Sequence, residues 1–366
     1  MRALSEARRV VVKIGSSSLT RPDGGLDLNR IDAVARVVAR WRRGGRQAVI
    51  VSSGAVAAGL DPLGFAFKPS DLASVQAAAA MGQGLLVARW TAAFHTHHVD
   101  AAQVLLTTED VMARDHYTNA TAALGRLLSL GVVPIVNEND AVTTRELRFG
   151  DNDRVAAIIA QMVQADALVL LTDVDGLYTA PPSRPGARLI ERVDSTDDLM
   201  SVLVTEAGSK VGTGGMASKV QAATMASASG IGVLLANADK VEEALSGKGT
   251  GTWFAPTHER PASRRLWIAH AAPSRGELVV DAGAARAITV GKKSLLAAGV
   301  VSVAGHFDAG DVVDIASPTG LVARGIVSYD ADSLAAIAGR SAPELEGTGW
   351  EHVRPVVHRD DLAPLL

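Results

Sequence analysis

A chain of 366 residues exceeds what one hydrophobic core ordinarily holds, so two domains are expected. Its 48% apolar and 20% charged residues are those of a globular protein, and a net charge of −3 excludes a general attraction to nucleic acid or an anionic membrane. The absence of cysteine excludes disulfides, thiolate nucleophiles and cysteine metal sites. Without a signal peptide or an apolar run of about 18 residues, a cytoplasmic protein is expected.

The chain then reads as alternating strands and helices. Val10 to Ile14 is a buried strand with Lys13 inside it, followed by Gly15-Ser16-Ser17-Ser18. A lysine near a strand end, ahead of a Gly/Ser turn, suits an anionic ligand; the alternative is a side chain that snorkels to solvent. Helical spacing at Ile31, Val34, Val38 and Trp41 ends in Gly44-Gly45. Ala48 to Val51 is the next strand and runs into Ser52-Ser53-Gly54-Ala55-Val56. The nucleophile-elbow pattern needs a glycine two residues before the serine, which is missing, so Ser53 reads as a ligand contact. Residues 72 to 94 form an alanine-rich helix on which Gln76, Met81 and Gln83 read as packing and surface. His95, His97 and His98 lack a metal-ligand pattern and read as exposed. Val99 to Leu106 is a strand, and Tyr117 to Leu130 is a helix.

The most polar stretch follows an apolar strand, Val132 to Val136. It holds Asn137-Glu138-Asn139-Asp140 and then Gly150-Asp151-Asn152-Asp153, after which Val155, Ile158, Ile159 and Met162 mark a helix. Helix capping needs one such residue, not seven, and open α/β sheets bind ligands beyond the carboxyl ends of their strands. Ala167 to Leu171 is another strand, ending in Thr172-Asp173-Val174-Asp175-Gly176, and Ala180 to Ala187 is loop. Gly212-Thr213-Gly214-Gly215-Met216-Ala217-Ser218-Lys219 opens a helix, where free N–H groups, the helix dipole and Lys219 together form a phosphate cradle. The Walker A spacing fails here. A dinucleotide fingerprint at Gly212, Gly214 and Ala217 lacks its preceding strand. Gly232 to Ala236 is the next strand. Two lysines, several acids and no positioned histidine suit phosphoryl transfer to a carboxylate, which is already ionised at neutral pH and needs no base.

Residues 8 to about 258 resemble the amino acid kinase family, and within it the members that phosphorylate glutamate. The resemblance rests on Val11-Val12-Lys13-Ile14-Gly15-Ser16, Ser52-Ser53-Gly54-Ala55-Val56-Ala57-Ala58-Gly59, Asn137-Glu138-Asn139-Asp140, Gly150-Asp151-Asn152-Asp153, Thr172-Asp173 and Gly212-Thr213-Gly214-Gly215-Met216. It implies a three-layer α/β/α sandwich on a mostly parallel open sheet. The site residues it implies are Lys13 and Lys219 on the ATP phosphates, Asp153 orienting both lysines, and Ser53, Asp140 and Asn152 on glutamate. It also implies nucleotide contacts from Thr172 and Asp173 and from Thr213, Gly214, Gly215, Met216, Ala217, Ser218 and Lys219. Ala217-Ser218 stands where other members often carry Ser-Thr, and Asp175-Gly176 where a Lys-Gly pair can occur. ATP and Mg2+ are implied, as are feedback inhibition by proline, transfer of the acyl phosphate to a reductase, and a dimer or tetramer.

From about Pro273 the chain resembles a PUA domain. Strand-like runs at Glu277 to Val280, Val300 to Val303, Asp311 to Ile315 and Gly325 to Tyr329 suggest a small β-barrel-like unit. The expected division is a kinase domain over 1–258, a linker over 259–273 and a PUA domain over 274–366. From Pro273 onward, eight Lys and Arg face twelve Asp and Glu, a balance that disfavours RNA as a partner. Two alternatives to the main reading stand. One is another carboxylate, carbamate or nucleoside monophosphate kinase of the same family, and the other is an RNA-binding protein acting through the PUA domain.

Overall fold

The computed structural model describes residues 2–21, 24–143, 152–194, 215–247, 251–256, 265, 267–345 and 354–365. The chain divides into two compact units, Met1–Arg260 and Pro261–Leu366.

The first unit is built on an eight-stranded sheet. Its strands are β1 (Arg9–Ile14), β2 (Gln47–Ser52), β3 (Ala101–Leu106), β4 (Val133–Glu138), β5 (Ala167–Thr172), β6 (Arg192–Val193), β7 (Gly232–Asn237) and β8 (Thr252–Phe254), in the order β3-β4-β2-β1-β5-β7-β8-β6. All neighbours pair parallel except β7 and β8. The central strands are apolar on both faces, as a sheet covered on both sides requires; Val10, Val11, Val12, Val49, Ile50, Leu168 and Leu170 are fully buried. Five helices matter for the site: α1 (Leu28–Trp41), α2 (Ala55–Leu60), α3 (Leu72–His95), α4 (Asn152–Met162) and α5 (Gly215–Ala228).

Alternation along β1 sorts its side chains. Val10, Val12 and Ile14 join a core with Ile31, Val34 and Val38 of α1 and Leu86, Trp90 and Phe94 of α3. Val11 and Lys13 therefore face the opposite layer, where α4 packs on β1 and α5 packs on α4. The helices begin where short polar side chains satisfy their free N–H groups: Asp27 accepts from Arg30 N at 3.0 Å and Asp71 from Ser74 N at 2.8 Å. Between β2 and α2 the chain turns through Gly54 at φ +104°, a conformation costly for any residue with a Cβ. The helices α2 and α3 cross at backbone contact. A Cβ on Gly59 would lie 1.9 Å from Ala78 O, and one on Gly82 1.7 Å from Ala55 O.

The parallel register brings the carboxyl ends of β1, β2, β4 and β5 to one edge. Ile14 pairs with Ser52, and Leu106 with Glu138. Thr172 pairs with Asn237 at the same edge, on the other side of β1.

The second unit carries a separate sheet of β9 (Gly276–Val280), β10 (Val300–Gly305), β11 (Val312–Ser317), β12 (Gly320–Val327) and β13 (Val357–Pro364), ordered β10-β9-β11-β12-β13. It has its own core, including Leu278, Val280, Val313, Ile315, Leu334 and Val357. The strand-like runs read from the sequence fall on β9, β10, β11 and β12. The fifth strand, β13, was not expected; its Val357-His358-Arg359-Asp360-Asp361 is too polar to stand out as a buried run.

Candidate active site

Lys13 is almost wholly buried near the end of β1, and its ammonium meets the Asp153 carboxylate, Nζ to Oδ1, at 2.5 Å. It does not snorkel: its face of the strand lies under α4, and Asp153 occupies the first turn of that helix with no exposed surface. The second carboxylate oxygen, Oδ2, is 3.0 Å from Lys219 Nζ, which also donates to Gly215 O at 3.2 Å. Two cations thus flank one buried anion, and the cluster carries a net positive charge. Burial pushes the Asp153 carboxyl up, but the Lys13 and Lys219 charges and their hydrogen bonds outweigh burial and hold it below its ordinary value of 3.8. Asp153 is ionised at neutral pH, which keeps both ammonium groups at the carboxyl edge of the sheet.

One residue earlier, Asn152 turns to an uncharged network. Its Nδ2 donates to Ser53 Oγ at 2.5 Å and to Asn137 Oδ1 at 3.5 Å. Asn137, at the end of β4, is buried, and its Nδ2 donates to Gln83 Oε1 at 3.3 Å. Ser52 bonds away from the site, donating to Ser53 O at 3.0 Å and accepting from Trp90 Nε1 at 2.9 Å. The Asn152 and Asp153 side chains both make contacts distant in sequence.

Asp140 lies in the turn just after β4, half-buried. Thr172 is buried at the end of β5 and donates to Asp173 Oδ1 at 2.9 Å, while Asp173 itself is exposed. Gly215, Met216, Ala217, Ser218 and Lys219 form the first turns of α5. Thr213 and Gly214, like Gly150 and Asp151, lie outside the described residues. The structure thus joins Lys13, Asp153 and Lys219 in one cluster and Ser53 and Asn152 in another, with Asn152–Asp153 as the hinge between them.

Of the two roles read from the sequence, packing and surface, Gln83 takes the first: it is buried, and its Nε2 donates to Glu138 O at 2.9 Å. The available signal was a long polar side chain one residue after Gly82, where α2 and α3 come into contact. Met81 is exposed, as read.

No group of three His, Asp or Glu able to cage a metal ion occurs among the described residues, and Asp153, the buried carboxylate of the cluster, is held by two lysines.

The comparisons agree with this architecture. Residues 8–237 match the model of the amino acid kinase family, and residues 276–347 match the PUA domain. The chain belongs to the amino acid kinase family. Its relatives include the glutamate 5-kinases of Streptomyces coelicolor and Thermobifida fusca, each 52% identical over 366 residues, covering 99% of this chain and 98% and 94% of theirs. The glutamate 5-kinase of Salinispora arenicola is 53% identical over 365 residues. Among solved structures, carbamate kinase from Giardia lamblia bound to AMP-PNP aligns with a TM-score of 0.51 at 18% identity. That alignment covers 69% of this chain and 99% of that one, a likeness of fold.

Proposed function

We propose that this protein is a glutamate 5-kinase, transferring the γ-phosphoryl group of MgATP to the γ-carboxylate of L-glutamate and so opening proline biosynthesis from glutamate. The observation that carries the reading is the pair Lys13 and Lys219 held on one buried carboxylate at the carboxyl edge of a parallel sheet, one residue from a neutral carboxamide network. A glutamate carboxylate oxygen attacks the γ-phosphorus in line, the bond to the β–γ bridging oxygen breaks, and ADP and glutamyl 5-phosphate result. The acceptor, with an ordinary pKa of about 4.3, arrives ionised, so no proton has to be removed and no side-chain base is needed. Lys13 and Lys219 stabilise the charge on the transferring oxygens, and Asp153 keeps the two ammonium groups in place before substrate arrives. Ser53, Asp140 and Asn152 take the amino acid, with Asp140 opposite the α-ammonium. Thr172, Asp173 and the stretch Thr213 to Lys219 take the nucleotide.

Full-length identity near 50% to glutamate 5-kinases favours glutamate over carbamate or a nucleoside monophosphate as acceptor. The same resemblance extends the proposal to a homo-oligomeric cytoplasmic enzyme inhibited by proline, whose labile product passes to a reductase. Among the described residues no helix is long and apolar enough to cross a membrane. The test is coupled ADP release with glutamate, aspartate, carbamate and UMP offered in parallel. Turnover with glutamate above all others is expected, and preference for any other acceptor overturns the assignment.

A further inference from the structure

We propose that Gln83 is a positioning residue for the amino-acid substrate: together with the Glu138 backbone it holds the orientation in which the Asn137 and Asn152 carboxamides face that substrate. The inference rests on the reading of Ser53 and Asn152 as acceptor-binding residues.

A carboxamide has a donor end and an acceptor end of nearly equal shape, so a pocket lined by Asn side chains binds correctly only if something fixes their orientation. Here the orientation is anchored at two backbone groups of one residue, whose polarity cannot change. The Glu138 carbonyl accepts from Gln83 Nε2 at 2.9 Å, and the Glu138 N–H donates to Asn137 Oδ1 at 2.9 Å. Gln83 must therefore turn Oε1 toward its other neighbours, where it accepts from Asn137 Nδ2 at 3.3 Å and Gln103 Nε2 at 3.5 Å. Asn137 is then fixed from both ends, and its Oδ1 receives Asn152 Nδ2. The amino group of Asn152 is committed to Asn137 and Ser53.

Two consequences reach the substrate. Asn152 Oδ1 is buried and meets no hydrogen-bond partner among the described residues, so it is an acceptor awaiting a donor, as a substrate ammonium is. Ser53 Oγ already accepts from Asn152, so its hydroxyl proton is left to donate to a carboxylate oxygen. Reversing Asn152 would present NH2 to the ammonium and consume the Ser53 proton. Gln83 touches no substrate; it lies behind Asn137 and acts through it.

Gln83→Met keeps the length and removes both ends of the amide. The expected result is a rise of about tenfold in the KM for glutamate, with the KM for ATP within about twofold and a lowered melting temperature, because Glu138 O and Asn137 Nδ2 lose a buried partner. Gln83→Glu supplies a second, pH-resolved readout. As a neutral acid the introduced carboxyl repeats the amide pattern, donating to Glu138 O and accepting from Asn137. As a carboxylate it sets a charge against Glu138 O. Its glutamate KM defect is expected to shrink as pH falls from 8.5 to 6 relative to the unmutated enzyme, a profile that simple loss of packing does not produce. Hydrogen exchange of the side-chain amides in full-length protein labelled with [15N]asparagine reports the same orientation without turnover, with faster exchange at Asn137 and Asn152 expected in Gln83→Met. An unmutated enzyme that releases no ADP with glutamate overturns the substrate reading and leaves the exchange measurement to decide the positioning role. Glutamate turnover in the unmutated enzyme, combined with a Gln83→Met KM within twofold and unchanged amide exchange, overturns the positioning role. If Gln83→Met does not fold, a flat pH profile for Gln83→Glu overturns it alone.

Discussion

The two halves of the site meet at consecutive residues and work by different physics. On the Asp153 side, two ammonium groups and one carboxylate interact through charge, which acts over several ångströms and tolerates small displacements. On the Asn152 side, Ser53, Asn137 and Gln83 carry no charge and interact through directional hydrogen bonds, which a reversed amide or a shifted helix disrupts. The charged half suits a phosphoryl group whose charge moves during reaction. The neutral half suits recognition, because an unpaired buried donor or acceptor discriminates strongly against the wrong ligand. The contrast teaches that substitutions on the two sides should fail differently: on the Asp153 side in turnover and stability, on the Asn152 side in acceptor binding.

The largest expected effect tests the charged half. Asp153→Asn leaves two lysines side by side without their counter-ion, and uncompensated buried charge of this kind typically costs about 3–5 kcal/mol. A clear fall in melting temperature at pH 7, with turnover nearly lost, is expected. Because Asp153 titrates lower in the folded protein than in the unfolded chain, its contribution is complete above its ordinary value of 3.8 and disappears as pH falls through the lower folded value. The stability gap between the unmutated protein and Asp153→Asn should therefore narrow below about pH 4 in thermal melts. A gap independent of pH would mean that Asp153 acts by packing.

Lys219→Ala comes next and sharpens the comparison. A contact formed mainly with the transferring group is worth about 3 kcal/mol, so kcat should drop by about two orders of magnitude while the KM for glutamate moves little. Steady-state kinetics with each substrate varied in turn separates the two, and a pure KM effect would place Lys219 with the acceptor instead.

Asp140→Asn probes the binding side. It keeps the shape of the side chain and removes its charge, and loss of about 2 kcal/mol of binding is expected as a raised glutamate KM with ATP KM unchanged. A raised ATP KM alone would move Asp140 to the nucleotide side.

The smallest kinetic effect addresses the scaffold of the neutral half. Gly82→Ala places a Cβ 1.7 Å from Ala55 O, so α2 and α3 must separate, at a cost of about 1–3 kcal/mol. Gln83 adjoins this crossing, so glutamate KM should rise with the loss of stability, while the lysine cluster, on the opposite face of the sheet, keeps ATP KM unchanged. Equal losses for both substrates would show that the two halves are mechanically one.

The sequence by itself determined the strands and which polar residues stand at their carboxyl ends. Apolar runs such as Val10–Val12 and Ala167–Leu171 announce strands buried on both faces, because only a covered parallel sheet leaves no polar side. The position of Lys13 near such a run's end, and of Asn152–Asp153 at a helix start, follows from local pattern alone. The tertiary structure decided the partnerships. Asp153 reaches Lys13 because alternation along β1 turns that side chain toward α4, and it reaches Lys219 because α5 packs on α4. The hydrogen-bonding role of Gln83 escaped the sequence reading for a physical reason. On α3, alanine and glycine occupy buried and exposed positions alike, so no apolar stripe marks the inward face. Only the close crossing of α3 with α2 places Gln83 where one end of its amide meets the Glu138 carbonyl and the other meets Asn137.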